Sequence, residues 1–226
     1  MGKRILLVEG PDDRHVMWNL FEARAIPETF KVECPKEQDP EDSDRQETLG
    51  GDAILLGSLR TWLKEADLEC LAVIVDANGK GPQARWQSIR NRLTHAGYTG
   101  IPIEHSERGT IVELSLRPRT PRSIRFGAWI MPDNRSEGML EDFVASLIRD
   151  QDSMLPLVNG FLGSIPPDQQ RFSPAHHSKA RIHAWLAVSE RPGRPMGQAI
   201  KADKYIDVHD PSVQPFLDWI GEALLK

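Results

Sequence analysis

The stretch Ile5–Asp13 reads ILLVEGPDD: four apolar residues, then an acid, a glycine, a proline and two further acids. A short aliphatic run of this kind suits a buried strand, and the Gly-Pro pair ends it. From Asp12 to Arg24 the apolar residues Val16, Met17, Leu20 and Phe21 recur at helical spacing. The stretch therefore reads as strand, tight turn and helix, the opening unit of an α/β sheet. An open sheet of this type gathers its ligand crevice at the carboxyl ends of its strands, which is where Glu9 and Asp13 stand.

The same pattern returns further along. LAVIV, Leu71–Val75, is a continuous apolar run that ends on Asp76 in VIVDAN. Helical spacing is read over 53–66 (Leu55, Leu56, Leu59, Leu63) and 83–96 (Trp86, Ile89, Leu93). Residues 30–34 alternate as a half-buried strand, and the acidic, Pro/Gly-punctuated run Pro35–Gly51 reads as a loop. Two strands, 110–116 and 124–131, flank the turn RPRTPRS and suggest a hairpin. Met139–Ile148 carries Leu140, Phe143, Val144, Leu147 and Ile148 on one stripe, with Glu141 and Asp142 in its first turn. Helical patterns near 178–188 and 213–225 follow, and PGRPMG at 192–197 reads as a turn before a helix. The expected fold is α/β: an open, mainly parallel sheet flanked by helices, with a C-terminal helical extension. Residues 3–150 would form the core and 151–226 the extension, packed as one compact unit.

With 226 residues, 39% hydrophobic and 27% charged, the chain can bury a sizeable core. It shows no long apolar segment and no charged-then-apolar leader, so the expectation is a cytoplasmic protein without a membrane partner. Cys34 and Cys70 are far apart and lack zinc-motif partners, so both read as core thiols. A net charge of −5 argues against coating nucleic acid by bulk electrostatics, and any polyanion site must be local. Arg117, Arg119, Arg122 and Arg125 offer such a site at one turn, either as a phosphate-contacting tip or as a solvated hairpin end. His176, Lys179 and His183 share a helical face suited to phosphate contact or proton transfer. Trp18, Trp86, Trp129, Trp185 and Trp219 fall among apolar stripes and read as core rather than as base-stacking platforms. The glycines near 192–197 lack the Gly-Lys-Ser/Thr ending of a phosphate loop, and there is no nucleotide-hydrolysing motif.

The acids carry the chemistry. If the strands ending at Glu9 and Asp76 are parallel neighbours, the two carboxylates meet at one edge, with Asp13 beside them and Glu141 arriving on a helix start. Each acid alone could simply cap exposed amides or favour a helix dipole. Together they repel one another and call for a compensating cation. Mg²⁺, or Mn²⁺ in its place, suits a set of hard oxygen donors.

These residues resemble the Toprim family, the metal-binding fold shared by type IA and type II topoisomerases, bacterial primases and OLD-type nucleases. VEGPDD looks like its first motif, with Glu9 as principal acid and Asp13 as support. VIVDAN looks like the second, normally Asp-x-Asp, with Asp76 in the first place and Asn78 where the second acid would stand. LEDF resembles the third acidic motif of OLD-type nucleases, which makes Glu141 a metal ligand, while Met139 stands where those enzymes can place a small hydroxyl residue. The later lysine often found in their site matches Lys179 by order, with Lys201 second. The resemblance spans about Lys3 to Ile148, and the C-terminal part resembles only small Toprim-like proteins of uncharacterised function.

The resemblance implies a Mg²⁺- or Mn²⁺-dependent nuclease. Glu9, Asp76 and Glu141 would hold metal, with Asp13 and Asn78 beside them, and Lys179 would stabilise phosphate charge. The implied partners are nucleic acid, DNA ahead of RNA, a separate ATPase subunit in phage defence or DNA repair, and a second copy of the chain in a homodimer. Two other readings stand beside it. One is a catalytically degenerate Toprim module that binds nucleic acid or a partner protein without cutting, for which the uncharged Asn78 and the missing hydroxyl speak. The other is a receiver-like signalling domain with Asp76 as phosphoacceptor, against which the long interval from Glu9 to Asp76 speaks.

Overall fold

The computed structural model describes residues 2–35, 51–77, 79–116 and 123–226. The opening aliphatic run forms β1 (Lys3–Leu7), and Pro11 begins α1 (Pro11–Ala23) at a position where a missing N–H costs nothing. The chain continues through β2 (Lys31–Glu33), α2 (Gly51–Trp62), β3 (Leu68–Asp76), α3 (Gly81–His95), β4 (Tyr98–Thr99), β5 (Thr110–Leu116) and β6 (Ser123–Met131). These strands make a six-stranded sheet in the order β2-β1-β3-β6-β5-β4. The pairs β1/β2, β1/β3 and β3/β6 are parallel, while β6/β5 and β5/β4 are antiparallel. The fold is thus α/β, an open and mostly parallel sheet flanked by helices, and β5 and β6 form the expected hairpin.

Period-two alternation along the central strands divides the interior into two layers. Ile5, Leu7, Leu71, Val73, Val75, Phe126, Ala128 and Ile130 pack with α2 and α3 on one face. Leu6, Val8, Ala72, Ile74, Trp129 and Met131 face the other. That second face is covered by α1 and by the helices after the sheet: α4 (Leu140–Ser146), α5 (Met154–Gly163), α6 (His177–Ala187), α7 (Met196–Ala202) and α8 (Gln214–Ile220), which continues as a π-helical turn over Gly221–Leu225. The C-terminal residues therefore share a core with the sheet. At its centre Trp129 meets Phe216 edge-on with ring centroids 5.2 Å apart and lies 5.6 Å from Trp219. Such aromatic pairs add about 0.5–1.5 kcal/mol each beyond their buried area.

The final helix lies close to the sheet because β6 carries glycine where it crosses. A Cβ at Gly127 would stand 3.0 Å from the Ala223 Cβ and 3.1 Å from Trp219 Cζ2. Next to the crossing, an Arg4 terminal nitrogen donates to the Leu224 carbonyl at 3.0 Å, tying the first strand to the last turn.

Several sequence expectations are corrected or extended. Trp86, Trp129, Trp185 and Trp219 are buried, but Trp18 is 45% exposed on the outer side of α1. Its neighbours Val16, Met17, Leu20 and Phe21 supply the buried stripe of that helix, and a residue at position 18 falls between them. Arg125 does not sit at the turn: it lies within β6 opposite Glu113, whose carboxylate takes its Nε at 3.1 Å. Arg117, Arg119 and Arg122, Asn78, and the loop read at 35–51, apart from its two end residues, lie outside the described residues. The structure adds the short β4 and the helix α5, which the sequence pattern did not single out. Among the described residues no helix is long and apolar enough to cross a membrane.

Candidate metal centre

Because β1, β3 and β6 run parallel, their carboxyl ends open on one edge of the sheet. The parallel register sets Leu7 of β1 beside Val73 of β3, so Glu9 and Asp76 end neighbouring strands. Their contact is direct: the Asp76 N–H donates to Glu9 Oε1 at 3.1 Å. Asp13 comes from the first turn of α1, directly after the β1 turn. The amino end of α2 also faces this point, since a Cβ on Gly51 would lie 3.3 Å from Glu9 Oε2.

Glu141 reaches the same edge by a separate route. The Ala77 N–H donates to the Gly138 carbonyl at 3.0 Å, and the Leu140 N–H donates to Asp76 Oδ1 at 2.9 Å. The start of α4 is thereby fastened to the end of β3, and Glu141, the next residue, is buried. Gly138 makes this approach possible. Its φ is +152°, and a Cβ there would lie 2.8 Å from Asp142 Oδ2 and 3.0 Å from Pro132 Cδ.

Lys179, on α6, places its Nζ 3.9 Å from Glu141 Oε1 with its side chain 49% exposed, so the ammonium sits at the rim of the acidic edge. A second tie holds α6 to α4. Asp142 Oδ2 accepts the Met139 N–H at 3.0 Å as a helix cap, while its Oδ1 accepts from Ser178 Oγ at 2.7 Å and from Arg181 at 3.1 Å. Ser178 and Arg181 were not singled out in the sequence. Their spacing of three, which puts both on one face of the helix, was the available signal.

The charge state of the edge differs from that of an ordinary capping carboxylate. A capping carboxylate is stabilised in its ionised form and titrates low. Here the direction is reversed. Burial, then the charges of Glu9, Asp13 and Glu141, push Asp76 from 3.8 up to about 8, overriding the bond from Leu140. Asp13 is pushed from 3.8 up to about 6, first by burial and then by Glu141, against the help of its backbone hydrogen bond and of Lys179. The four acids are thus within electrostatic reach of one another and short of positive charge.

A hard divalent cation fits this donor set in chemistry: the donors are all carboxylate oxygens, and the deficit is one of positive charge. In arrangement the edge is open. Among the described residues no three His, Cys, Asp or Glu side chains are grouped closely enough to hold a metal ion jointly. Ligation would require the carboxylates to turn toward one another from the positions they hold here. Of the sequence candidates, Glu9, Asp13, Asp76, Glu141 and Lys179 come together, whereas Arg125 is engaged elsewhere on the sheet.

Residues 3–225 match the family described as protein of unknown function DUF3226, and the chain belongs to that family. Nothing matches it among curated proteins or among solved structures.

Proposed function

We propose that this member of the DUF3226 family is a Mg²⁺- or Mn²⁺-dependent nuclease whose site is the carboxylate edge, as the Toprim resemblance implies. One observation carries the reading. Four carboxyl groups from three segments, Glu9 with Asp13, Asp76 and Glu141, converge at one edge of the sheet, where burial and their mutual charge hold Asp76 and Asp13 toward the protonated form.

Glu9, Asp76 and Glu141 would hold the ion, with Asp13 in support. A divalent cation held there would supply positive charge to oxygens of a phosphodiester. The protein's own part is positioning. The Asp76 N–H orients Glu9, the Leu140 N–H orients Asp76, and the Asp142 tie to Ser178 and Arg181 fixes α6 against α4. Lys179 at the rim offers its ammonium to a non-bridging phosphate oxygen, where charge grows during the transfer. The ungrouped carboxylates favour a second reading, a module that binds nucleic acid without cutting it.

The test is cleavage of supercoiled plasmid and of labelled single-stranded DNA and RNA by the wild type and by Glu9→Ala, with Mg²⁺, Mn²⁺ or EDTA. Metal-dependent cutting that is lost in the variant is expected. Absence of cutting by the wild type, with retained nucleic-acid binding, selects the second reading.

A further inference from the structure

Trp18 is the tryptophan that the structure leaves outside the core, and it borders a cleft of about 560 Å³ between α1 and the edge strand β2. This is the size of an ordinary small-ligand site. Phe21, Phe30 and Val32 give the cleft an apolar lining. At its border the Arg14 guanidinium lies 4.9 Å from the Trp18 ring centroid, and Arg14 Nε is buried without a hydrogen-bond partner. An exposed indole layered with a guanidinium is a stacking platform for a flat π-system.

The cleft adjoins the carboxylate edge. Arg14 directly follows Asp13, and Trp18 lies one helical turn further, about 6 Å along the α1 axis. On the other wall, Glu33 ends β2 in register with Leu7 of β1, two residues before Glu9.

Charge decides what could enter. Lys201 is bonded to Glu22, so Arg14 and Lys31 are left to balance Glu28 and Glu33, and the cleft is near neutral. A near-neutral lining of two cations and two carboxylates offers a phosphate no net attraction. A nucleobase needs none, because it is uncharged and its edge carries N–H donors that the carboxylates can accept. In a duplex those faces are already stacked and those edges paired, so only an unpaired base is free to enter.

We propose that the α1–β2 cleft takes an unpaired nucleobase, stacked on the Arg14–Trp18 pair, from the strand whose backbone lies at the carboxylate edge. This rests on the reading of that edge as the place where a nucleic-acid strand is held, and it makes single-stranded or frayed nucleic acid the preferred substrate.

The experiment is fluorescence polarisation of a short labelled single-stranded DNA with Ca²⁺ in place of Mg²⁺, repeated with one abasic position walked along the strand. For the wild type, one abasic position is expected to weaken binding about tenfold. Trp18→Ala should bind the intact strand about tenfold more weakly and be indifferent to that abasic position, with Trp18→Phe in between. No binding of single strands, indifference of the wild type to every abasic position, or unchanged sensitivity in Trp18→Ala overturns the proposal. Cleavage is scored separately with Mg²⁺. Metal-dependent cutting lost in Glu9→Ala but blind to abasic positions sinks the cleft and keeps the nuclease. The abasic pattern without cutting does the reverse.

Discussion

Replacing Asp76 by Asn should make the metal-free protein more stable, although Asp76 sits at the centre of the candidate site. In the fold its carboxyl holds a proton up to about 8, against 3.8 for the ordinary group. Between those values the folded chain binds more protons than the unfolded chain, so stability falls as pH rises through the interval. At pH 7 this costs at most about 4 kcal/mol, at about 1.36 kcal/mol per pH unit. Rotation of the carboxylate or entry of water lowers the realised figure, so a gain of about 1–4 kcal/mol is expected on removing the charge. Asn keeps an oxygen that can accept the Leu140 N–H, so the anchor of α4 survives the change.

The assay is urea unfolding in EDTA at a series of pH values from 5 to 8, wild type beside Asp76→Asn. The wild type should lose stability across the range, with Asp13, pushed up to about 6, adding to the fall in its lower part. The variant should lose less, so the gap between the two widens with pH. Addition of Mg²⁺ should stabilise the wild type far more than the variant. A variant that is less stable than the wild type at pH 8, or a gap that does not change with pH, would refute the charge argument.

Two further outcomes follow from the same geometry. Lys179→Met, which removes the ammonium beside Glu141, should lower metal-dependent turnover by about 10²-fold while leaving the melting temperature nearly unchanged; single-turnover cleavage separates this from weakened binding. Gly127→Val would drive a side chain into Ala223 and Trp219 at the sheet crossing. It should destabilise the fold by about 3 kcal/mol, read as a lowered urea midpoint with an unchanged slope.

Much of this arrangement is legible in the sequence because two periods and one rule generate it. Aliphatic runs ending on Glu9 and Asp76 imply parallel strands, and parallel strands put both ends at one edge. Glu141 could be read as a helix-start acid able to complete the cluster, but its route was not legible, since it depends on Leu140 binding Asp76 and on Gly138 permitting the approach, both tertiary facts. Trp18 was misread because a helix stripe at 16, 17, 20 and 21 is wide, and hydrophobicity alone does not show that position 18 falls off it. Arg125 was misread because the turn residues and the strand residues share one Arg-rich composition, while register assigns Arg125 to a cross-strand pair with Glu113. The short β4 carries too few residues for period two to be visible.

The charge deficit also explains how firmly the edge is built. Carboxyl groups that repel one another tend to push their elements apart, and α4 has only two turns to resist with. The structure opposes this with bonds that do not depend on the ionisation of the site. Ala77 holds Gly138 through backbone alone, and Asp142 bridges α4 to α6 through Ser178 and Arg181. On the far side, Phe143 stacks edge-on against Phe216 with centroids 5.5 Å apart, joining α4 to the aromatic core. The helix bearing Glu141 is thus held by bonds that Glu141 itself does not make, which is the division of labour that the proposed cation site requires.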